Sequence, residues 1–514
     1  MTHSIVLLLG SKWQRKCRKS SVHLATIRDL YTSPHLTIRD FIHHLHLTIR
    51  DETLYNDGEK KGKKMFFRRK LYDRLVEWKK CDAGRSALLI EGARRVGKTS
   101  LVREFGKNEY RSVAFIDFFK VPKAVIRVFE EESDDIAVLL KRLSATLGVR
   151  FYPRETLIVF DEVQFYPRAR GLVKYLVEDG QYDYIETGSL ISIRKNVNDI
   201  VIPSEEHSVR LDPMDFEEFL WALGDEAAMP YAKECFESVR PLGAGVADKI
   251  WKRWREYMLV GGMPQSVAEF VESRDFAYVD EVKRGILKLY RNDMAKAPTK
   301  DEAKIAAIFD SMPSQLSRPG GAKAYRLSEL DKAARMREYE DAFHWLEEAH
   351  IVARCVNTTD PSDAGLSKSE EYTTFKAFMC DTGLLVTHTF SSGSAKDNAL
   401  YAAILDDRVG VNEGMLAENA VAQSLRSRGK RLFFYSRANR DIRAERMEVD
   451  FLLSRGGRVC PLEVKSADWR HHRSLDKFRT KFGANIGQPY ILYTKDIIEK
   501  DGIVHLPLYM AMFL

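Results

Sequence analysis

The chain has 514 residues, 45% hydrophobic and 30% charged, a composition typical of a globular protein with cores for about two to four domains. No apolar run approaches the roughly 18 to 20 residues of a membrane-spanning helix, and the early IVLLLG run has its basic cluster on the wrong side for a secretory signal, so we expect a cytoplasmic protein without a membrane partner. The six cysteines form no CxxC pair and no Cys/His zinc spacing, so neither a disulfide framework nor a zinc site is predicted.

The first 64 residues differ from the rest of the chain in charge. They hold 12 Lys or Arg and six Asp or Glu, most of the net charge of +7, so the remainder is nearly neutral and gives no global sign of a nucleic-acid partner. Short related stretches begin at His23, His35 and His46, too few for a solenoid. We interpret residues 1–64 as a disordered extension or an over-called start, with Met65 opening the protein; the alternative is a basic arm for an anionic partner.

A phosphate-binding loop is predicted from Gly92 to Thr99, where the sequence reads GARRVGKT. The apolar segment before it predicts a strand and the segment after it predicts a helix, which is the context that this loop requires. Lys98 is expected to contact the β- and γ-phosphates of ATP, and Thr99 to bind Mg²⁺. The predicted nucleotide-binding residues are Gly92, Arg94, Arg95, Val96, Gly97, Lys98, Thr99 and Ser100.

A second strand, TLIVF, ends in two acidic residues. Asp161 suits the outer sphere of Mg²⁺, while Glu162 is expected to polarise the attacking water, because phosphoryl transfer needs mainly positioning and charge neutralisation. The next predicted strand ends at Thr187–Ser189, and Ser189 is the hydroxyl assigned to sensing the γ-phosphate. The alternative is an ordinary α/β core with acidic strand ends.

Six motifs together resemble those of uncharacterised prokaryotic AAA-type ATPases whose C-terminal half is known as domain of unknown function 4143. The resemblance extends from about Met65 to the end of the chain. It implies a P-loop ATPase core followed by a helical lid, and gives architecture more than biology. The motifs are GARRVGKTSL, DEVQ, ETGSLISIRKN, LDPMDFEEFL, VGGMPQSV and CDTGLL.

One departure from this family concerns the arginine finger. Many relatives carry a Gly-Arg pair before the PMDFEEFL-like segment, whereas this chain reads IPSEEHSVRLDPMDF there. Arg210 and Arg194 are the candidates for this role, and the alternative for each is a surface arginine without a catalytic role. The glycine-bearing turn Met258–Pro264 is placed in the helical lid.

The middle of the chain resembles a winged-helix module. From Asp301 to about Val356 the pattern predicts three helices and then a strand. The third helix is acidic, so it would repel nucleic-acid phosphates, and a structural or protein-docking role is preferred to DNA binding. Its apolar residues are interpreted as a buried stripe: Phe343, Trp345, Leu346 and Ile351.

Beyond about Gly414 the order of elements resembles the PD-(D/E)xK nuclease fold. Glu463 and Lys465 lie two residues apart and so share one face of a strand. The resemblance implies that Glu418, Asp450 and Glu463 hold Mg²⁺ and that Lys465 positions or activates the nucleophile. The alternative is a solvated strand face and a plain helix surface. Nearby basic residues, either a phosphate-tracking surface or a solvated face, are Arg470, His471, His472, Arg473, Lys477 and Arg479.

The predicted fold class is α/β: a P-loop AAA-type ATPase with a helical lid, a winged-helix-like middle domain and a C-terminal α/β restriction-endonuclease-like domain. One functional hypothesis is a Mg²⁺-dependent ATPase switch controlling a nuclease-like domain that acts on DNA or RNA. The other is an ATP-dependent protein-interaction switch in which that domain is inert. The predicted oligomeric state is left open. The predicted segments are 1–64 (extension), 65–220 (ATPase core), 221–300 (lid and linker), 301–400 (winged-helix-like) and 401–514 (nuclease-like).

Overall fold

The architecture is taken from a computed structural model of the chain. The described residues are 65–188, 205–297, 299–318, 323–390, 401, 405, 413–437, 446–466, 469–483 and 485–514. Ser189, Arg194 and residues 1–64, which carry three of the sequence predictions, lie outside the described residues.

The N-terminal half is built on a five-stranded sheet in which every pair of neighbours is parallel. The strand order is β2-β3-β4-β1-β5, so β4 separates the strand before the phosphate-binding loop from the strand that ends in the acidic pair. Parallel strands end at one edge, which brings the ends of β1, β3 and β4 together. The strands are β1 (Ala87–Glu91), β2 (Ser112–Asp117), β3 (Thr156–Asp161), β4 (Asp183–Thr187) and β5 (Glu206–Arg210).

Helices cover both faces of this sheet, and alternate residues of each strand serve the two faces. In β3, Leu157 and Val159 join the core under α1 and α2, while Ile158 and Phe160 join the core under α3, α4 and α6. A strand buried on both faces reads as a continuous apolar run, which is why TLIVF was recognisable. The helices are α1 (Lys70–Asp82), α2 (Lys98–Glu109), α3 (Lys123–Glu131), α4 (Ile136–Leu147), α5 (Pro167–Gly171) and α6 (Val173–Asp179).

A helical segment follows the five-stranded sheet. Its first helix starts with a capping box, in which Asp215 accepts from the backbone N–H of Glu218 and Glu218 accepts from that of Asp215. These two hydrogen bonds explain why Asp215 and Glu218 stand three residues apart in the PMDFEEFL stretch. None of the helices in the described part of the chain is long and apolar enough to cross a membrane. The helices are α7 (Phe216–Ala222), α8 (Ala228–Glu237), α9 (Ala244–Val260), α10 (Pro264–Ser273) and α11 (Phe276–Met294).

The middle segment contains two long helices and a hairpin. The prediction of three full helices is wrong at the second, because Leu327–Glu329 is a single 3-10 turn. The residues predicted as a buried stripe are buried at the sheet, with Trp345, the most exposed of them, 8% exposed. The elements are α12 (Thr299–Leu316), α13 (Met336–Glu348), β6 (Val352–Thr358), β7 (Glu370–Met379) and α14 (Thr382–Thr389).

The hairpin of β6 and β7 forms one edge of an eight-stranded sheet that continues into the C-terminal segment. The order is β12-β13-β11-β10-β9-β8-β6-β7, and β6 pairs with β8 in parallel at Val356 and Phe433. The predicted boundary at residue 400 therefore falls within one sheet. The remaining elements are α15 (Glu413–Ser427), β8 (Phe433–Arg437), β9 (Met447–Arg455), β10 (Arg458–Val464), α16 (Arg473–Phe482), β11 (Tyr490–Tyr493), β12 (Ile498–Lys500) and β13 (Ile503–Pro507).

One hydrophobic core joins the helical segment to this second sheet. It extends from Phe67 to Leu514 and includes the C-terminal 3-10 helix, Leu508–Phe513. In that helix the ring of Tyr509 lies 6.0 Å from Phe216 and 6.3 Å from Trp254 in the helical segment. The chain end is thus part of the core beneath the lid helices.

We expect Tyr509→Ala to lower the free energy of unfolding by about 3 to 5 kcal/mol, the usual cost of truncating a buried aromatic side chain. Because one core spans both segments, denaturant unfolding followed by fluorescence and circular dichroism is expected to shift as a single transition. The control is Tyr372→Ala, since Tyr372 is 58% exposed. Separate transitions, or an equal effect of the control, would contradict the shared core.

Candidate functional site

The phosphate-binding loop joins β1 to α2, and its lysine is turned inward. Lys98 is 9% exposed, and its Nζ donates to the carbonyls of Gly92 at 2.7 Å and Ala93 at 3.2 Å. Burial lowers the pKa of Lys98 to about 8, an effect that the nearby carboxylates of Glu162 and Asp161 oppose. The ammonium is thus held inside the curve of the loop, where a phosphate would meet it.

Both glycines of the loop are required by the backbone. Gly92 has a φ of 150°, and a Cβ there would lie 2.2 Å from the carbonyl oxygen of Leu211. Gly97 has a φ of 103° and precedes the first turn of α2. These values are in the region where glycine has no steric cost, so the spacing of the motif follows from the turn itself.

Hydroxyl and carboxylate groups join the three strand ends next to this loop. Thr99 Oγ1 donates to Asp161 Oδ1 at 3.0 Å, and Thr187 Oγ1 also donates to Asp161. Burial raises the pKa of Asp161, while these two hydrogen bonds lower it. Hydroxyl and carboxylate oxygens are the ligands that Mg²⁺ prefers, so the donor set fits the predicted metal.

Glu162 follows Asp161 in a left-handed backbone conformation with a φ of 55°. Its backbone N–H donates to Thr187 Oγ1 at 3.3 Å, and its carboxylate accepts a hydrogen bond from Gln164 Nε2. The left-handed turn lies directly after Asp161, the last residue of β3. Sequence reasoning missed the part of Gln164, although it is the last letter of the DEVQ motif.

The outside of the loop is braced by neighbouring elements. Arg94 forms an ion pair with Asp293 of α11 at 2.6 Å, and the hydroxyl of Tyr290 donates to the Arg94 carbonyl at 3.2 Å. Buried Arg69 donates to the carbonyl of Val96 at 3.0 Å. Of the remaining predicted binding residues, Arg95 and Ser100 are exposed, and Val96 is fully buried.

Arg210, a candidate for the arginine finger, lies at a contact with the C-terminal segment. Its Nε donates to Asp212 at 2.8 Å, and its Nη2 donates to the backbone carbonyl of Arg426 in α15. Arg426 Nη2 lies 3.4 Å from Nδ1 of His350, whose Nε2 is 3.8 Å from Glu91 at the end of β1. The guanidinium of Arg210 thus has partners within its own chain.

The lid turn Gly261–Gly262 contacts the start of α14. Asp381 Oδ2 accepts from the Gly262 N–H at 2.6 Å, and its Oδ1 accepts from the Leu384 N–H at 2.8 Å. A Cβ on Gly261 would lie 2.2 Å from Asp381 Oδ1, and one on Gly383 would lie 2.5 Å from the Gly261 nitrogen. The VGGMP and CDTGLL motifs are therefore two sides of one close contact.

The polar groups predicted for the C-terminal site are brought together by α15, β9 and β10. Lys465 Nζ donates to Glu463 Oε1 at 2.8 Å, and Asp450 accepts from the backbone N–H of the residue between them, Val464, at 2.9 Å. Glu418 enters from α15 and is 4% exposed. Burial, with Asp450 as the second cause, raises the pKa of Glu463 to about 7.

A lysine that sequence reasoning missed lies among these carboxylates. Lys376 of β7 is 0% exposed, and its Nζ is 3.2 Å from Asp450 Oδ1, 3.6 Å from Glu418 Oε2 and 3.0 Å from Glu448 Oε1. The attraction of the carboxylates outweighs burial and holds the pKa of Lys376 well above its ordinary value. The available signal was a charged residue inside the apolar strand segment FKAFM.

The implied Mg²⁺ does not fit this second cluster. The oxygens of Glu418 and Asp450 that would coordinate an ion face the ammonium of Lys376 instead. No group of three or more His, Cys, Asp or Glu side chains within the described ranges is arranged to hold a metal ion. The carboxylates converge as predicted, but around a lysine.

The predicted basic surface beyond β10 has internal partners. Arg479 donates to the carbonyl of Asp501 at 2.9 Å, Lys477 to that of Arg446 at 3.3 Å, and His472 lies 3.0 Å from Asp476. Three of the six basic side chains are therefore held by carbonyl and carboxylate groups of the C-terminal segment.

A pH test is available at His350, where burial and the charges of Arg426, Arg210 and Lys98 lower the pKa to about 3. Because this lies below the ordinary 6.5, the unfolded chain takes up the proton first, and stability is lost as the pH falls from 6.5 towards 3. We expect this loss, at most about 1.4 kcal/mol per pH unit for one group, to disappear in His350→Asn. Asparagine tolerates the left-handed φ of 56° at this position.

The measurement is the free energy of unfolding at several pH values between 7 and 4.5, with His344→Asn as the control because His344 is 55% exposed. Parallel curves for the wild type and the His350 variant would contradict the assignment of a buried neutral imidazole.

Comparison with known families now adds to this geometry. Residues 84–220 match an AAA domain, residues 252–394 match domain of unknown function 8612, and residues 413–510 match domain of unknown function 4143. No curated protein matches the chain. The AAA and 4143 matches confirm these two parts of the sequence resemblance, while the 8612 match was not foreseen.

Solved structures with some similarity include the Orc1 protein of Aeropyrum pernix in complex with DNA, at 14% identity, 64% coverage of this chain, 94% of that chain and a TM-score of 0.25. Drosophila ORC bound to DNA has 12% identity, covering 62% and 94%, with a TM-score of 0.25. The STAND protein PH0952 of Pyrococcus horikoshii, with a tetratricopeptide repeat sensor, has 12% identity, covering 73% and 51%, with a TM-score of 0.25. Residues 84–220 are thus similar to an AAA domain, and they include the parallel sheet and the predicted phosphate-binding loop.

Proposed function

We propose that the protein is a Mg²⁺-dependent ATPase switch whose nucleotide state acts on the C-terminal segment, and that this segment serves a protein-interaction role. The observation that carries the proposal is the buried hydrogen-bonded contact between the lid turn at Gly262 and Asp381. It joins the helical segment that follows the AAA-matched residues to the start of α14, directly after β7 of the second sheet. A change in lid position would therefore have to move both segments.

The proposed ATP site brings together several of the groups that hydrolysis requires. Lys98 would neutralise phosphate charge, and Thr99 and Asp161 would hold Mg²⁺ directly or through water. Bound Mg²⁺ supplies charge neutralisation on the phosphates. Glu162 would then orient the attacking water once its carboxylate leaves Gln164. Ser189 keeps its proposed role in sensing the γ-phosphate.

A buried polar network extends the lid contact into α15. Gln423 Oε1 accepts from the N–H and the hydroxyl of Thr382, both at 2.9 Å, and its Nε2 donates to the hydroxyl of Tyr257 at 2.9 Å. Tyr257 in turn donates to the carbonyl of Met214 at 2.8 Å. These groups are buried, so losing one partner leaves another unsatisfied, which makes the network sensitive to displacement.

A second contact lies closer to the nucleotide site. Glu91 at the end of β1 faces His350, and His350 faces Arg426 of α15. Since Glu91 directly precedes the first glycine of the loop, a change in the loop would be felt at α15 from this side as well. Two separate contacts on one helix support coupling through α15.

Nuclease activity of the C-terminal segment is the second candidate function. It is favoured by the convergence of Glu418, Asp450, Glu463 and Lys465, with DNA or RNA as substrate. The carboxylates of Glu418 and Asp450 lie around the ammonium of Lys376, and α13 is acidic. Both observations favour the interaction role and a protein partner instead. Under the nuclease function, Asp450→Ala and Glu463→Ala would each abolish Mg²⁺-dependent cleavage and leave ATP hydrolysis near normal.

For the ATP site, we expect Lys98→Ala to abolish tight ATP binding, because it removes the phosphate contact. Glu162→Gln is expected to retain binding and to lower turnover by about 100-fold or more, because it alters only the group that orients water. Nucleotide affinity is measured by titration, separately from phosphate release. The control is Lys107→Ala on the exposed side of α2; equal loss of binding in both site variants would contradict the assigned roles.

For the coupling, we expect ATP and ADP to give different amide hydrogen exchange in α15 of the wild-type protein. Gln423→Leu should remove this difference and leave ATP hydrolysis measurable, because it breaks the link between Thr382 and Tyr257. Ser427→Ala is the control, since Ser427 bonds only locally to Ser424. A nucleotide-dependent difference that persists in Gln423→Leu would place the coupling elsewhere.

A further inference from the structure

The carboxylate cluster of the second sheet, formed by Glu418, Glu448, Asp450 and Glu463, already contains a cation of its own. We infer that the ammonium of Lys376 permanently takes the place of the divalent ion at this cluster, so the C-terminal segment folds and functions without Mg²⁺ there. This inference rests on the proposed function in one respect, which is the protein-interaction role that the proposed function assigns to the C-terminal segment.

The first argument is geometric. The ammonium of Lys376 has three N–H donors, and it lies 3.0 to 3.6 Å from oxygens of three different carboxylates. Mg²⁺ requires oxygens at about 2.0 to 2.1 Å in near-octahedral geometry. An ion at the same centre would overlap the ammonium nitrogen, so the two cations exclude each other.

The side chain of Lys376 is also held in place by its burial. Its side chain is 0% exposed, and it projects from the interior of β7, where residue 376 is paired with Cys355 of β6. The ring of Phe434 lies 5.3 Å from its Nζ. Moving the ammonium away from the carboxylates would leave its charge buried and unpaired, or would require the β6–β7 hairpin to separate from the rest of the sheet.

The third argument is charge. Four carboxylates face two lysines, Lys376 and Lys465. Without Lys376, Lys465 alone would face the four carboxylates, and the cluster would need another cation. Carboxylates this close together are stabilised by a positive charge among them or by protonation of one of them, and the lysine on a distant strand supplies the positive charge that a metal would otherwise supply.

The test is a titration of nucleotide-free protein with Mn²⁺, followed by electron paramagnetic resonance and by thermal unfolding. In the wild-type protein we expect no Mn²⁺ site that is lost in Asp450→Asn. We also expect no rise in Tm when Mn²⁺ is added. Lys376→Met is expected to have a lower Tm, to gain one saturable Mn²⁺ site at least about tenfold tighter than any in the wild type, and to recover part of its Tm with Mn²⁺.

Lys368→Met is the matched control, because Lys368 pairs with Asp363 at 2.6 Å on the surface and is 74% exposed. It should gain no Mn²⁺ site. Lys376→Arg, which keeps a cation, should likewise gain none. If Lys376→Met does not fold, the wild type and Asp450→Asn still decide the question, since equal Mn²⁺ stoichiometry in these two proteins supports the inference.

Two results would overturn the inference. One is a Mn²⁺ site in the wild-type protein, with or without ATP, that Asp450→Asn removes. The other is a folded Lys376→Met variant that gains no Mn²⁺ site. ATP hydrolysis is measured in parallel: its absence from the wild type would refute the proposed switch and leave the metal result standing, so the two failures are distinguishable.

Discussion

The buried carboxylate of Asp381 ties the helical segment to the start of α14, directly after the second sheet's edge strand β7. It caps α14 through Leu384 and accepts from Gly262 of the lid turn, so one side chain fixes the beginning of a helix and the approach of a distant turn. The approach is close enough that Gly261 and Gly383 have no room for a side chain. Two glycine-containing motifs more than 100 residues apart in the chain are therefore a single structural requirement.

The local parts of the ATP site were accessible from the sequence because local chemistry determines them. A buried parallel strand is a continuous apolar run, a phosphate-binding turn needs glycine where φ is positive, and the acidic pair directly follows its strand. The placement of Lys98, Thr99 and Asp161 beside one another depended on little else. Gln164 shows the limit, because the side-chain bond to Glu162 arises from a left-handed turn that the letters alone do not specify.

At the second cluster the sequence predicted which groups converge but not what they surround. Glu463 and Lys465 share a strand face, and Asp450 lies on the neighbouring strand of the same hairpin, so short-range pairing brings them together. Lys376 reaches them because β7 pairs with β6 and β6 pairs with β8, across an interval that sequence spacing does not encode. The same distant pairing hid the continuity of the sheet across residue 400. The one sign of this distant pairing in the sequence was a charged residue, Lys376, inside an apolar strand.

The membership of β6 and β7 in the second sheet also limits how this protein can be divided by evolution or by proteolysis. A piece beginning after residue 400 would keep β8 but lose β6, its parallel neighbour at Phe433 and Phe434, and would leave this side of β8 unpaired. Such an edge favours self-association over independent folding. A fragment that keeps β6 and β7 is therefore expected to fold better than one that starts after residue 400.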